Sequence, residues 1–147
     1  MDLSKLATKE KSEKGSRLYL IAPDGRETTI FMDVLGQDSK KYLNRINEAV
    51  LDSVNKKKDS DKKEVDMDDL LEGQEKQLET LTMMVIGWGD HEETEDKDPK
   101  KGKIKKTITW GEDELKYTEK NLLKVFDACP WMKEQINAFM GKRANFL

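Results

Sequence analysis

The stretch "RLYLIAPDGRETTIFMDV", residues 17–34, constrains the fold more than any other. Apolar and β-branched residues flank Pro23-Asp24-Gly25, where Asp-Gly supplies the positive φ angles that a tight hairpin turn demands. Leu18, Leu20, Ile30, Met32 and Val34 then point to one side or the other by the two-residue period of a strand. A two-stranded hairpin is marginal alone in water, so its apolar face must pack on something. The helices that follow are the obvious partners.

The segment "GQDSKKYLNRINEAVLDSVN" reads as the first of these helices. Asp38 or Ser39 caps it, and Leu43, Ile46, Val50 and Val54 recur at helical spacing, with Tyr42 and Ala49 beside them. Residues 56–65, including "KKKDSDKKE", lack an apolar face and read as a charged linker. A second helix is expected over 66–88, capped by Asp66, with acidic residues in its first turn and a stripe of Leu71, Leu78, Leu81 and Val85. Gly73 within it costs about 1 kcal/mol against alanine.

Residues 89–106 switch from acidic to basic around Pro99 and read as a disordered charged loop. The loop separates two similar pieces, "VIGWGD" and "ITWGED", which are either the strands of a long hairpin or a chance echo. "TITWGEDELKYT" then reads as a short hairpin or an extended approach to the next helix. Thr118 caps "EKNLLKVFDAC", and Pro130 stops that helix and begins another, where a first-turn proline loses no hydrogen bond. Trp131, Met132, Ile136, Phe139 and Met140 give the last helix its stripe, and Gly141 is placed to end it.

The expected fold is therefore α+β: an N-terminal β-hairpin packed on a mainly helical body of about four helices, with flexible charged loops. Residues 1–16 are expected as a flexible tail, with a weak helical turn at Leu3, Leu6 and Ala7 offering a binding arm as the alternative. Residues 17–147 are expected as a single domain: hairpin plus helix over 17–55, the linker, the second helix, the loop, and a short β segment with a C-terminal αα-hairpin over 107–147.

Composition narrows the function classes. With 35% of residues apolar and 39% charged, the chain lies toward the polar edge of globular proteins, so a modest core is expected. Its 27 basic and 30 acidic residues are mixed along the sequence, which gives no basic footprint for nucleic acid. No apolar run is long enough to span a bilayer, and "MDLSKLATKEKSEKGS" lacks the apolar stretch of a signal peptide. The single cysteine, Cys129, cannot form an internal disulfide and fits a reducing compartment. A soluble cytoplasmic protein is expected.

Catalysis needs a nucleophile, an acid–base pair or a metal site, and none has convincing spacing. His91, the only histidine, lies among Asp90, Glu92 and Glu93 and reads as a solvated loop residue rather than a loose metal ligand. Cys129 reads as a small buried side chain. Asp66, Asp68 and Asp69 lack the spacing of a calcium loop, and Gly87 and Gly89 form no phosphate-binding loop. Met83 and Met84 suit core filling before an adaptable binding surface. The expectation is a non-enzyme without cofactor or metal.

The C-terminal stretch "YTEKNLLKVFDACPWMKEQINAFMGKRANFL" resembles the end of the tail assembly chaperone family of long-tailed bacteriophages. The matching positions are Tyr117, Thr118, Asn121, Pro130, Trp131, Glu134, Gln135 and the terminal Arg143-Ala144-Asn145-Phe146-Leu147. Upstream, "APDGRETTIFMDVLGQDSKKY" is similar to the family's hairpin leading into a helix, through Asp24, Gly25, Gly36, Asp38 and Ser39. Departures are the N-terminal tail, the 89–106 insertion, and Lys120 between Glu119 and Asn121.

The resemblance implies a chaperone that binds the tape-measure protein, a long and largely helical chain, and keeps it soluble until tail-tube subunits polymerise around it in the host cytoplasm. The tail-tube protein and a second copy of the chain are further candidate partners. Candidate client contacts are Trp131, Gln135, Phe139, Met140, Arg143, Asn145, Phe146 and Leu147. An apolar anchor fully buried contributes about 1.5–3 kcal/mol before ordering costs, so a few suffice for reversible binding. The same residues also suit a tip docked on its own domain, with Phe146 and Leu147 as a plug and Arg143 paired to an acidic side chain; docking is the first expectation and partner binding the second. The competing functions are a virion structural component, such as a minor tail or head–tail joining protein, and a small adaptor that binds a host protein through its last helix.

Overall fold

The hairpin forms around the Asp24-Gly25 turn. In the computed structural model, which describes the backbone of residues 1–59 and 67–147 and the side chains of 1–55 and 70–147, β1 (Ser16–Ile21) and β2 (Glu27–Val34) pair antiparallel. The Gly25 N–H donates to the Ala22 carbonyl at 2.8 Å, and Gly25 takes a φ of 89° that a side chain would resist. Two further strands extend the sheet from β2. β3 (Val85–His91) pairs with β2, and β4 (Ile104–Lys105) pairs with β3, so the order is β1-β2-β3-β4, antiparallel throughout. A separate hairpin, β5 (Thr107–Trp110) and β6 (Asp113–Lys116), turns at Gly111.

The helices are α1 (Lys9–Lys14), α2 (Lys40–Asp59), α3 (Met67–Met84), α4 (Glu119–Ala128) and α5 (Trp131–Met140). Thr118 caps α4 by accepting a hydrogen bond from the Asn121 N–H at 3.1 Å. The chain closes with a 3₁₀ turn, Arg143–Phe146. The architecture is thus α+β, with the N-terminal hairpin joined to a helical body.

Several expected boundaries change. The helix expected over 66–88 ends at Met84, and its last residues become β3. Leu81, Val85 and Trp88 suit a helical stripe as well as a strand, but Gly87 and Gly89 weaken a helix, and β2 offers an edge whose backbone groups need partners. The loop expected over 89–106 is structured at both ends. His91 ends β3, Pro99–Lys101 forms a 3₁₀ turn behind an Asp98 cap, and Ile104 and Lys105 form β4. The N-terminal tail contains α1, whose Ser12 is buried and whose Ser12 carbonyl accepts the Gly36 N–H at 2.9 Å. At 56–59 the backbone continues α2; the rest of the expected 56–65 linker, and the Asp66 cap, lie outside the described residues. "VIGWGD" and "ITWGED" fall in β3 and in the β5–β6 hairpin, which are not ladder partners.

Strand alternation on β2 divides the interior in two. Met32 and Val34 face the main core with Leu20 of β1, Trp88 of β3 and Leu81 and Met84 of α3. α4 and α5 complete that core through Leu122, Val125, Phe126, Met132, Ile136 and Met140. Trp88 is held there by its indole N–H, which donates to the Leu115 carbonyl at 3.1 Å, and by an edge contact with Tyr117 at 5.4 Å. Phe31 points the other way, where it meets Tyr19 and His91 at ring-centroid distances of 5.8 and 5.7 Å. Arg17 lies 3.9 Å above the Phe31 ring and is paired to Asp33.

This second cluster explains the order of the 89–106 segment. His91 is 8% exposed, and both ring nitrogens are engaged, Nδ1 with the Gly102 carbonyl at 2.8 Å and Nε2 with the Tyr19 hydroxyl at 2.9 Å. A carbonyl only accepts, so Nδ1 is protonated and donates to Gly102; in the neutral ring the Tyr19 hydroxyl then donates to Nε2. Gly89 makes the tight packing possible. A Cβ there would lie 2.5 Å from the Lys105 carbonyl oxygen and 2.6 Å from Phe31 Cζ. Gly89→Ala is therefore expected to destabilise the fold by about 1–3 kcal/mol, the usual range for overpacking, read as a lower urea midpoint with an unchanged slope. An unchanged midpoint would show that β3 and β4 separate without cost.

Candidate functional site

The terminal residues are built into the molecule. Met132, Ile136 and Met140 of α5 are buried, while Trp131 and Phe139 pack against the same core and are only partly covered. Gln135 projects to the outer edge of β1. Its Nε2 donates to the Ile21 carbonyl at 2.7 Å and its Oε1 accepts the Ile21 N–H at 2.9 Å. One side-chain amide thus occupies a position on the open sheet edge that another strand would otherwise pair with.

After Gly141 the chain turns back. Phe146 is fully buried and meets Phe139 edge to face at 5.6 Å, and the Asn145 Nδ2 donates to the Phe139 carbonyl at 3.0 Å. Arg143 grips Asp38 with two hydrogen bonds, of 2.9 and 3.0 Å, and the Thr8 hydroxyl donates to the same carboxylate at 2.6 Å. Beneath them, a Cβ on Gly36 would lie 2.4 Å from Ser12 Oγ and 3.0 Å from Phe146 Cδ1. The N-terminal helix, the β2–α2 connection and the C-terminal turn therefore meet at one point. Docking of the tip is what the structure shows for Phe146; Leu147 is 55% exposed, beside a shallow hollow of about 320 Å³ against α1.

The exposed apolar surface lies elsewhere. Along α2, Leu43, Ile46, Val50, Leu51 and Val54 are between 41% and 63% exposed, and among its described residues only Tyr42 packs on the core. Leu70 and Leu71 on the first turns of α3 are also exposed. Arg45 ties the two helices together, donating to Glu79 at 2.9 Å and to the Thr80 hydroxyl at 3.3 Å. Arg45 lies early in α2, and Glu79 and Thr80 late in α3, so these two parts of the helices are in contact.

Beside this pair is an open cleft of about 760 Å³ between α3, the start of β3 and α4. Leu78, Met83, Val85, Ile86 and Leu123 line its apolar part, and Glu75, Glu79, Glu119 and Lys41 stand among them. The α2 stripe was legible as an amphipathic helix, but periodicity identifies an apolar face without saying what covers it. The cleft had no sequence signal, because its walls come from three separated segments.

Among the described residues no group of three or more His, Cys, Asp or Glu is placed to hold a metal ion. Burial pushes the Cys129 thiol above its ordinary pKa, which disfavours the reactive thiolate. No described helix is long and apolar enough to cross a membrane. No protein-family model, curated protein or solved structure matches this chain.

Phe146→Ala is expected to cost about 3–5 kcal/mol, as for other large-to-small core changes, whereas Leu147→Ala stays within about 0.5 kcal/mol. Equal effects in chemical unfolding would refute the docked tip. The clamp also predicts a pH dependence. Hydrogen bonds from Arg143, then from Thr8, hold the Asp38 carboxyl below its ordinary pKa. A depressed folded-state pKa stabilises above the ordinary carboxylate range, and that contribution is lost as pH falls through the folded value. Unfolding free energies measured from neutral to acid pH should converge for the wild type and Asp38→Asn; parallel curves would assign the acid loss to other groups.

Proposed function

We propose that this chain is a tail assembly chaperone of a long-tailed bacteriophage, which binds the tape-measure protein and keeps it soluble in the host cytoplasm while the tail tube is built. The resemblance of the C-terminal stretch supplies the family. The observation that supports the activity is the exposed apolar stripe of α2, Leu43, Ile46, Val50 and Val54, which the protein's own core leaves uncovered. A long helical client presents amphipathic faces that aggregate, and an apolar helix face is a suitable reversible cover for them.

The terminal residues carry a different part of this reading. Gln135, Met140, Arg143, Asn145 and Phe146 are engaged within the domain, so they support the client surface by holding the body together. Trp131, Phe139 and Leu147 keep exposed area and are available as secondary contacts.

Co-expression tests the proposal. The tape-measure protein of the same phage should be largely insoluble alone and soluble with it, and Ile46→Glu should abolish that rescue while leaving the thermal melting of the chaperone unchanged. Mass spectrometry should then find the chain abundant in lysate and absent from purified particles. Fixed stoichiometry in particles would instead establish the virion-component alternative, and rescue by Ile46→Glu would remove α2 from the client surface.

A further inference from the structure

We propose that residues 1–14 form a strap that swings away from the body about Gly15 while the sheet and the other helices stay folded. The strap has no apolar anchor. Met1, Leu3, Leu6 and Ala7 are exposed, and of residues 1–14 only Ser12 is buried. The Lys14–Glu10 ion pair of α1, at 2.8 Å, joins two exposed side chains within the helix and holds nothing to the body. A six-residue helix is unstable alone in water, so α1 depends on what it rests against.

Those contacts are polar. Among the described residues, the hydrogen bonds from the strap to the body are the Thr8 hydroxyl to Asp38, at 2.6 Å, and the Gly36 N–H to the Ser12 carbonyl, at 2.9 Å. Thr8 stands at the N-cap of α1 yet makes no capping bond to it. Ser12 Oγ is buried and finds no hydrogen-bond partner among the described residues. A buried hydroxyl without a partner costs its desolvation, so closure carries a penalty that opening removes. Local opening is drawn from segments with few buried apolar contacts, and no apolar side chain of the strap is buried.

The hinge and the covered surface are equally specific. Gly15 joins α1 to β1 at φ 97° and ψ 157°, a conformation that is essentially restricted to glycine. Ser12 and Phe146 share the space above Gly36, where a Cβ would lie 2.8 Å from Ser12 Cβ and 3.0 Å from Phe146 Cδ1. Swinging α1 away therefore removes a wall beside Phe146 and opens the hollow between α1 and Leu147. With the proposed client, the uncovered tip becomes a second apolar contact. The opening itself is a property of the purified chain and does not rest on that reading.

Two neighbouring amides read the opening. The Gly36 N–H is bonded to the strap, whereas the Leu35 N–H donates to the Met84 carbonyl at the end of α3, at 2.9 Å. Native-state hydrogen exchange of the full chain, followed by nuclear magnetic resonance, should give Gly36 a protection factor at least about 10-fold below that of Leu35. Thr8→Val should lower the Gly36 value by about a further 5-fold, and Ser12→Ala should raise it by about 5-fold. Leu35 should keep its protection in both variants, which also shows that each is folded. Equal protection of the two amides in the wild type overturns the proposal, because the strap then opens only with the body. So does a Gly36 amide that either substitution leaves unmoved or shifts the other way, or one that moves only together with Leu35.

Discussion

Much of this structure follows from one strand whose two faces both need covering. β2 presents Met32 and Val34 to one side and Phe31 to the other. A single helical layer satisfies only the first side. The second side is closed by β1, β3 and the segment that returns through Gly102, with Tyr19, Phe31 and His91 forming a compact aromatic group. That requirement brings a charged segment into the fold: its backbone and a histidine complete a cluster that would otherwise leave Phe31 facing water. Lys100, 4.2 Å above the Tyr19 ring, extends the cover while keeping its charge outside.

The clearest sequence signals were those fixed by local chemistry. Asp24-Gly25 can make a tight turn, Thr118 can cap a helix, and Pro130 can begin one, whatever surrounds them. The features that sequence reading missed depend on distant partners. Val85 to Trp88 fits a helical stripe until β2 supplies an edge. His91 among carboxylates looks solvated until Tyr19 and Gly102 bind both ring nitrogens. Ser12 sits in a Lys- and Glu-rich segment with no apolar period, yet it is buried because Gly36 has no side chain in its way. In each case the missing information was a contact between segments far apart in the chain.

The terminal residues illustrate how one pattern can be read two ways. Exposed apolar side chains at a chain end suggest a partner, and those at a docked end suggest a plug. Phe146 resolves the choice by its burial, and the Arg143–Asp38 pair shows what orients it. The pair is partly exposed, so its own contribution is modest; its value is geometric. Asp38 also receives the Thr8 hydroxyl, so one carboxylate sets the positions of both terminal segments.

With α1, Arg143 and Phe146 committed to the body, exposed apolar side chains remain in a regular row on the described part of α2. A row of apolar residues that reach water at helical spacing is the kind of surface that binding partners cover. Tyr42 and Arg45 attach α2 to the body and to α3 near its N-terminal end. Beyond that point the described side chains Ile46, Val50, Leu51 and Val54 stay exposed. A stripe of this kind leaves an apolar face for the proposed client helix. On the proposed reading, the packed core holds the fold while the exposed α2 stripe makes the client contact.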